Sequence, residues 1–383
     1  RNRGKVDAAV ASYTDFVAKY PTAPKAPEAM VQIAELNRGA AERLGRFGAL
    51  NSEEQAKWKT LMAASLAAGE KLTATYPDSP ELSLGLRSLL AAKKLELDAG
   101  LTDAAGVEKY FADLADTAPG GAKNKALFAR ASFINTADPK RALEEMNKAY
   151  DPSLLFAPTD LDLYGLALLE TGETEKAKAV FEKVAKDYPN PAGAEAAKAP
   201  PAVQEAQAIS LFGLGKVAQK GGDKAAAGKL FEQLKATYPW SPKVLEANYG
   251  IAESLRQQGK GDEAIALLTQ IIRAPNAPSK LRADAMLLGG YIQKDKKQRD
   301  AAIDYFIKIS AFYDGVPEAA STGLWEGGQL LEEQVKELQA SDPAKAAKQR
   351  TQLIRAYQEL TTKFPDSPFA AKAKERLSAL GPQ

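Results

Sequence analysis

The chain has 383 residues, with 51 Lys and Arg against 49 Asp and Glu, and it contains neither Cys nor His. The missing Cys excludes disulfides, thiol nucleophiles and thiolate metal sites, and the missing His excludes imidazole bases and His-bearing metal sites. A formal net charge of +2 predicts no strong attraction to nucleic acid or anionic lipid. No apolar run reaches the roughly 18 residues of a membrane helix, so no integral membrane span is expected.

The first residues of the chain have the pattern of a second helix without its partner. Ala9, Tyr13 and Phe16 lie at helical spacing, and Pro21 ends the segment. We interpret residues 1–21 as the second helix of a truncated N-terminal repeat. The natural protein is therefore expected to be longer at this end.

A short phrase recurs along the chain, in which an aromatic residue and Pro are followed, one residue later, by Ser-Pro. Proline cannot continue a helix and biases the residue before it away from helical conformation. Ser is then expected to be the N-cap of the next helix, with the second Pro at its first position. Each phrase is thus predicted to end one helix and begin the next. The three close copies are residues 76–80, 238–242 and 364–368.

Between successive proline-containing helix ends, the apolar spacing predicts two amphipathic helices separated by a glycine. In one unit Gly165 lies on the apolar face of the first helix, Gly172 breaks the chain, and Ala177 and Phe181 follow at helical spacing before Pro189. The small residues Gly165 and Ala177 let the two helices approach closely, and the large residue Phe181 fills the space between units. Equivalent sets are Gly215, Gly222, Ala227 and Phe231; Ala252, Gly259, Ala264 and Leu268; and Gly290, Ala302 and Phe306.

This combination of small, large and proline positions resembles the tetratricopeptide repeat (TPR) family. The resemblance implies an all-α fold, a right-handed α-solenoid of antiparallel helix pairs that forms a TPR-like superhelix. The match is good over residues 158–314 and looser over 22–157 and 315–365. Residues 366–383 have the polar face expected of a C-terminal capping helix.

Three irregular stretches interrupt the repeats. The connections between helices are longer near 44–52 and near 338–346, and in the first of them Ser52 and Gln55 are predicted to form a capping box. The stretch 190–204 is rich in Pro, Ala and Gly and joins two units. We interpret it as a surface loop, with a hinge, a mobile loop or a joint between two sub-arrays of repeats as the alternatives.

No arrangement of residues indicates catalysis, a metal or a cofactor. Gly215 and Lys216 lack the Ser or Thr and the preceding strand of a phosphate-binding loop. Adjacent acids such as Glu144 and Glu145 point about 100° apart on a helix, so they are interpreted as solvated faces. An enzyme would need acids that converge in a closed pocket, which an open array rarely forms. We therefore predict a non-enzymatic protein without a cofactor.

The surface that remains for function is the concave side, formed mainly by the first helices. Aromatic and basic side chains there could bind an extended or helical peptide, especially one with carboxylates. Packing of the same aromatic side chains between neighbouring repeats is an equal alternative. The predicted partner-binding residues are Phe212, Lys216, Tyr249, Glu253, Arg256, Leu287, Tyr291 and Lys294.

The repeated junction also resembles that of bacterial cell-envelope TPR proteins, such as the periplasmic Tol–Pal-associated coordinator and the outer-membrane assembly lipoprotein. This resemblance implies an exported adaptor in the periplasm or at the outer membrane, with a lipid anchor upstream of Arg1. Its partner would be a protein or peptide and not a nucleic acid. Two alternatives remain open: a cytoplasmic adaptor or co-chaperone of the same fold, and a structural subunit of a larger envelope assembly.

Overall fold

A computed structural model describes residues 3–190 and 199–381, and its regular structure in these ranges is helical throughout. The predicted all-α fold class is confirmed. The chain divides into two compact units, Arg1–Gly213 (unit 1) and Leu214–Gln383 (unit 2). The helices of unit 1 are α1 (Arg3–Lys19), α2 (Ala26–Leu44), α3 (Ser52–Thr75), α4 (Leu82–Asp98), α5 (Ala104–Thr117), α6 (Ala122–Ile134), α7 (Pro139–Ala149), α8 (Pro158–Glu170) and α9 (Thr174–Asp187).

The boundary between the units lies within the tenth helix, α10 (Pro201–Lys220). We call α2 and the later even-numbered helices up to α16 first helices, and the odd-numbered helices up to α17 second helices. The helices of unit 2 beyond α10 are α11 (Lys224–Thr237), α12 (Val244–Gln257), α13 (Gly261–Arg273), α14 (Ser279–Asp295), α15 (Arg299–Phe312), α16 (Pro317–Ser341), α17 (Pro343–Lys363) and α18 (Ala370–Leu380).

Successive repeats contact one another mainly through their first helices. In unit 1, α4 contacts both α2 and α6, and in unit 2, α14 contacts both α12 and α16. Successive second helices make no contacts of comparable extent among the described residues. The repeats of each unit are therefore packed more closely on the first-helix face, and space is left between the second helices.

The small and large positions predicted from the sequence meet inside the repeats. A methyl group added at the glycine of the first helix would lie 2.4 to 2.5 Å from the phenylalanine ring of the second helix. Each of these rings has no solvent exposure. Glycine is needed at these positions because the ring occupies the volume of a β-carbon. The three pairs are Gly165 with Phe181, Gly215 with Phe231 and Gly290 with Phe306.

The three close copies of the recurring phrase share one hydrogen-bonding pattern. In each, the Ser backbone N–H donates to the carbonyl of the aromatic residue, at 3.0 to 3.1 Å. The Ser hydroxyl accepts from the backbone N–H two residues later, at 3.1 to 3.3 Å. The phrase thus forms a turn before the helix, and the prediction that Ser is the N-cap and Pro the first helical residue is wrong. The serine side chain is already used within the turn. The N-cap residues are Glu81, Lys243 and Phe369.

The capping box at the start of α3 lies one residue earlier than predicted. The Glu54 backbone N–H donates to the Asn51 side chain at 3.0 Å, and the Asn51 backbone N–H donates to the Glu54 carboxylate at 3.1 Å. The predicted pair of Ser52 and Gln55 is therefore wrong. The Gln55 side chain instead donates to the backbone carbonyl of Leu50 at 3.0 Å and so stabilises the preceding connection.

The other two irregular stretches are largely helical where the structure describes them. Near 338–346, α16 and α17 are separated by Asp342 alone, whose carboxylate accepts from the Lys345 backbone N–H at 3.0 Å. The additional residues there lengthen the helices and do not form a loop. Of the stretch 190–204, residues 191–198 lie outside the described residues, and α10 already begins inside it.

Candidate partner-binding surface on the first helices of unit 2

Seven of the eight predicted partner-binding residues lie in unit 2, on α10, α12 and α14, and the eighth does not lie on a surface. Phe212 belongs to unit 1 and has no solvent exposure, so its assignment to a binding groove is corrected. The physical reason is that α10 buries a wide face, which includes Ile209 and Ser210 as well as Phe212. The sequence spacing predicted a narrower buried stripe.

Arg256 of α12 and Lys294 of α14 each pair with an acid of the next first helix. Arg256 Nε donates to Asp295 Oδ2 at 2.6 Å, which joins α12 to α14. Lys294 Nζ donates to Glu326 Oε2 at 2.8 Å, which joins α14 to α16. Each cation therefore connects neighbouring repeats.

Tyr291 lies between these two ion pairs. The guanidinium of Arg256 is 5.3 Å from the centre of its ring, and its hydroxyl is 3.5 Å from Glu326 Oε1. The other side of the ring meets the buried Phe306 edge-to-face, with the centroids 5.2 Å apart. Burial, and then the nearby Glu326, raise the pKa of Tyr291 above its usual value. The residue therefore packs partly between repeats, as the alternative interpretation of the sequence expected.

A third acid beside Asp295 and Glu326 is Glu253 of α12, whose carboxylate contacts one side chain from α10 and one from α11. Gln219 donates to one carboxylate oxygen, and Lys224 Nζ lies 3.5 Å from the other. Lys216, one turn before Gln219, has no ion-pair partner among the residues that the structure describes. Among the residues that the structure describes, Lys216 is thus the predicted cation without a compensating acid.

Tyr249 and Leu287 are half-buried beside these charges. Burial raises the pKa of Tyr249 above its usual range, and the nearby Glu253 and Asp284 act in the same direction. Leu287 packs against the buried clusters of α15 and α16. Both side chains present part of their apolar surface next to the ion pairs, which is the mixture typical of a protein-binding surface.

We call the set on the first helices, together with Lys224 at the start of α11, the charged ladder. Its two paired cations remain accessible: 33% of the Arg256 side chain and 43% of the Lys294 side chain is exposed. Ion pairs at such exposure contribute only about 0–1 kcal/mol each, so a partner could exchange its own groups for them at small cost. The members of the charged ladder are Lys216, Gln219, Lys224, Glu253, Arg256, Tyr291, Lys294, Asp295 and Glu326.

Sequence reasoning missed Asp295 and Glu326, the acids that bind the predicted cations. Asp295 follows Lys294 directly, and Glu326 occupies the first helix of the next repeat. A search for acids one repeat beyond each predicted cation would have found both, at the separations of 39 and 32 residues that the structure shows.

Two cavities of unit 2 lie between its second helices. In unit 2 one cavity of 560 Å³ lies between α11 and α13, over Ile251 and Leu255 of α12. A second, of 540 Å³, lies between α15 and α17, over Leu324 and Leu331 of α16. None of the charged ladder lines either of them. The ladder is thus separate from these two cavities.

Across residues 3–190 and 199–381, acidic side chains nowhere form a group of three or more that could hold a metal ion. Within the same ranges, each helix is too short or too polar to cross a bilayer. The expectation of a non-enzymatic protein stays a prediction.

Comparison with protein families identifies two matches. Residues 204–381 match a family described as outer membrane lipoprotein, YfiO, and residues 161–191 match a tetratricopeptide repeat family. The resemblance to tetratricopeptide-repeat proteins of the bacterial envelope is confirmed. The two matches together indicate a protein-interaction scaffold of the cell envelope, and the envelope part rests on the first match, which points to the periplasm or the outer membrane.

Several solved structures are similar at low identity. A tetratricopeptide repeat protein from Parabacteroides merdae is 14% identical, covers 76% of this chain and 99% of its own, and has a TM-score of 0.43. The Cut9–Hcn1 tetramer of APC/C is 14% identical over 96% and 66%, with a TM-score of 0.44. Yeast Tom70 is 13% identical over 97% and 89%, with a TM-score of 0.36. No curated protein matches the chain.

Proposed function

We propose that this chain is a non-enzymatic scaffold or adaptor of the bacterial cell envelope, which binds a partner protein or peptide through the charged ladder. The observation that carries the proposal is the extent of the outer membrane lipoprotein match. It covers residues 204–381, and unit 2 begins at Leu214. The part of the chain most similar to an envelope family is therefore the part that contains the ladder.

The chemistry of the ladder favours a partner with both charged and apolar side chains. Arg256 is held on the ring of Tyr291, so one face of its guanidinium is already partly desolvated. Lys216 offers a cation that has no ion-pair partner in the described part of the chain. A partner carboxylate near Lys216 and apolar groups against Tyr249 and Leu287 would complete the contacts without burying an unpaired charge.

Charge reversal on the ladder tests the binding surface. We expect Lys216→Glu, Arg256→Glu and Lys294→Glu together to reduce capture of the partner at least about tenfold, because acids would then face both the partner and the chain's own Asp295 and Glu326. Capture is measured by cross-linking in intact cells that produce the full-length protein, followed by quantitative mass spectrometry.

The control reverses three exposed lysines on the second helices of unit 2, by Lys229→Glu, Lys345→Glu and Lys348→Glu. It produces the same change in net charge on the other face and should leave capture unchanged. Circular dichroism should give the same helicity for both triple variants. Equal capture by the ladder variant and the wild type would contradict the assignment of this surface.

Cell fractionation tests the proposed compartment. The full-length protein, produced from its own gene, is expected in the periplasmic or outer-membrane fraction, and labelled palmitate should be incorporated if an upstream lipid anchor is present. Recovery with a cytoplasmic marker would instead favour the cytoplasmic adaptor or co-chaperone. A stable stoichiometric complex from which the protein cannot be released would favour the structural subunit.

A further inference from the structure

A groove in unit 1 lies between the second helices α1 and α3, with α2 as its floor. Its volume is 610 Å³, the largest of the four cavities described. Apolar side chains from all three helices form its base. We call it the α1/α3 groove, and its apolar lining is Val6, Ala9, Leu36, Ala40, Leu44 and Leu61.

The rim of this groove is positively charged. Lys5, Arg43 and Lys57 line it together with a single acid, Asp7. None of the three cations has an ion-pair partner within the described residues. The groove therefore presents a net positive charge around an apolar base, and no ion pair within the described ranges compensates that charge.

The comparable groove between α15 and α17 is different. There Lys308 pairs with Asp304 at 2.7 Å, and Lys363 pairs with Glu359 at 2.7 Å. The charges that line that groove are thus largely neutralised by their neighbours. An uncompensated positive rim is a property of the α1/α3 groove and not of second-helix grooves in general.

The walls of the groove are helices, and this restricts the backbone conformation of a bound segment. Lys5 and Lys57 lie on opposite walls, on α1 and α3, and beyond the first and last turns of these helices the backbone N–H and C=O groups are used within the helices. An extended segment would leave most of its own backbone groups without partners there, whereas a helix satisfies its own backbone hydrogen bonds. An amphipathic helix can also place its apolar side chains on a base lined by Leu36 and Leu61.

We propose that the α1/α3 groove binds an acidic amphipathic helix of a partner protein. Its apolar stripe contacts the floor of α2, and its flanking carboxylates pair with Lys5, Arg43 and Lys57. The charge complementarity of rim and ligand selects acidic helices over basic ones. This site belongs to unit 1 and does not depend on the charged ladder, so either assignment can fail while the other holds.

A helical peptide library tests the proposal with the full-length protein as bait. The displayed peptides have about 18 residues, which is about 27 Å of helix, with a constant leucine stripe and Glu, Gln or Lys at random in the flanking positions. We expect selection to enrich Glu over Lys in these positions. A selected peptide should bind Lys5→Glu/Arg43→Glu/Lys57→Glu at least about tenfold more weakly than wild type, and binding should weaken as salt is raised from about 50 to about 300 mM.

The matched control is Lys308→Glu/Arg355→Glu/Lys363→Glu in the α15/α17 groove, which should bind the selected peptide as wild type does. Enrichment of Lys, or equal binding by the α1/α3 variant, would overturn the proposal. So would the absence of any enrichment, because the groove would then be closed in the full-length protein. Sedimentation that gives a dimer for wild type and a monomer for the α1/α3 variant would assign the groove to a second copy and would also overturn it.

Discussion

Replacement of Phe231 by Ala is expected to lower the free energy of unfolding by about 3–5 kcal/mol. The ring has no solvent exposure and lies between Gly215 of α10 and Gly250 of α12. A methyl group at either glycine would come within 2.4 or 2.2 Å of the ring, so no neighbouring β-carbon is present to fill the space that the ring leaves. The variant therefore loses both the buried apolar surface and the packing of two adjacent repeats.

The matched control is Phe312→Ala, in the same unit. Phe312 is 66% exposed, so the same substitution there should change the free energy of unfolding by less than about 0.5 kcal/mol. Both variants are compared by urea denaturation followed by circular dichroism at 222 nm, a wavelength that reports helix. A loss below about 1 kcal/mol for Phe231→Ala would mean that the ring does not join the repeats as described.

Asp160 is expected to make the stability of unit 1 depend on pH. Burial raises the pKa of its carboxyl group to about 6, although Arg87 and Lys125 act against the shift. A group with a raised pKa in the folded state contributes stability at low pH that is lost as the pH rises through that value. The shift of about two pKa units corresponds to about 3 kcal/mol, lost between about pH 4 and pH 7.

Asp160→Asn removes this titration, so the variant should not lose this stability as the pH rises. The free energy of unfolding of the variant minus that of wild type should therefore increase by about 3 kcal/mol between pH 4 and pH 7. Asp151→Asn is the control, because hydrogen bonds from Ser153 lower the pKa of Asp151. The contribution of Asp151 is lost only as the pH falls below about 4, so the same difference for Asp151→Asn should stay nearly constant between pH 4 and pH 7. A pH-independent difference for Asp160→Asn would contradict the assigned burial of the carboxyl group.

The positions that could be predicted are those whose neighbours are set by local spacing. Gly215 and Phe231 lie on adjacent helices of one repeat, and the sequence period was enough to predict their contact. The capping box at α3 was displaced by one residue, because Asn51 and Ser52 are both acceptable N-caps and the local sequence does not choose between them. Phe212 was misplaced, because the width of the buried face of α10 depends on what packs against it.

The sequence by itself determined the helix pairs and the order of the repeats, since proline stops, glycine turns and apolar periodicity act over a few residues. Only the tertiary structure decided which charges are satisfied. Arg256 and Lys294 bind acids 39 and 32 residues away, whereas Lys5, Arg43 and Lys57 remain unpaired among the described residues. The difference arises because pairing between repeats depends on how first helices stack, and that stacking brings together side chains that no local pattern relates.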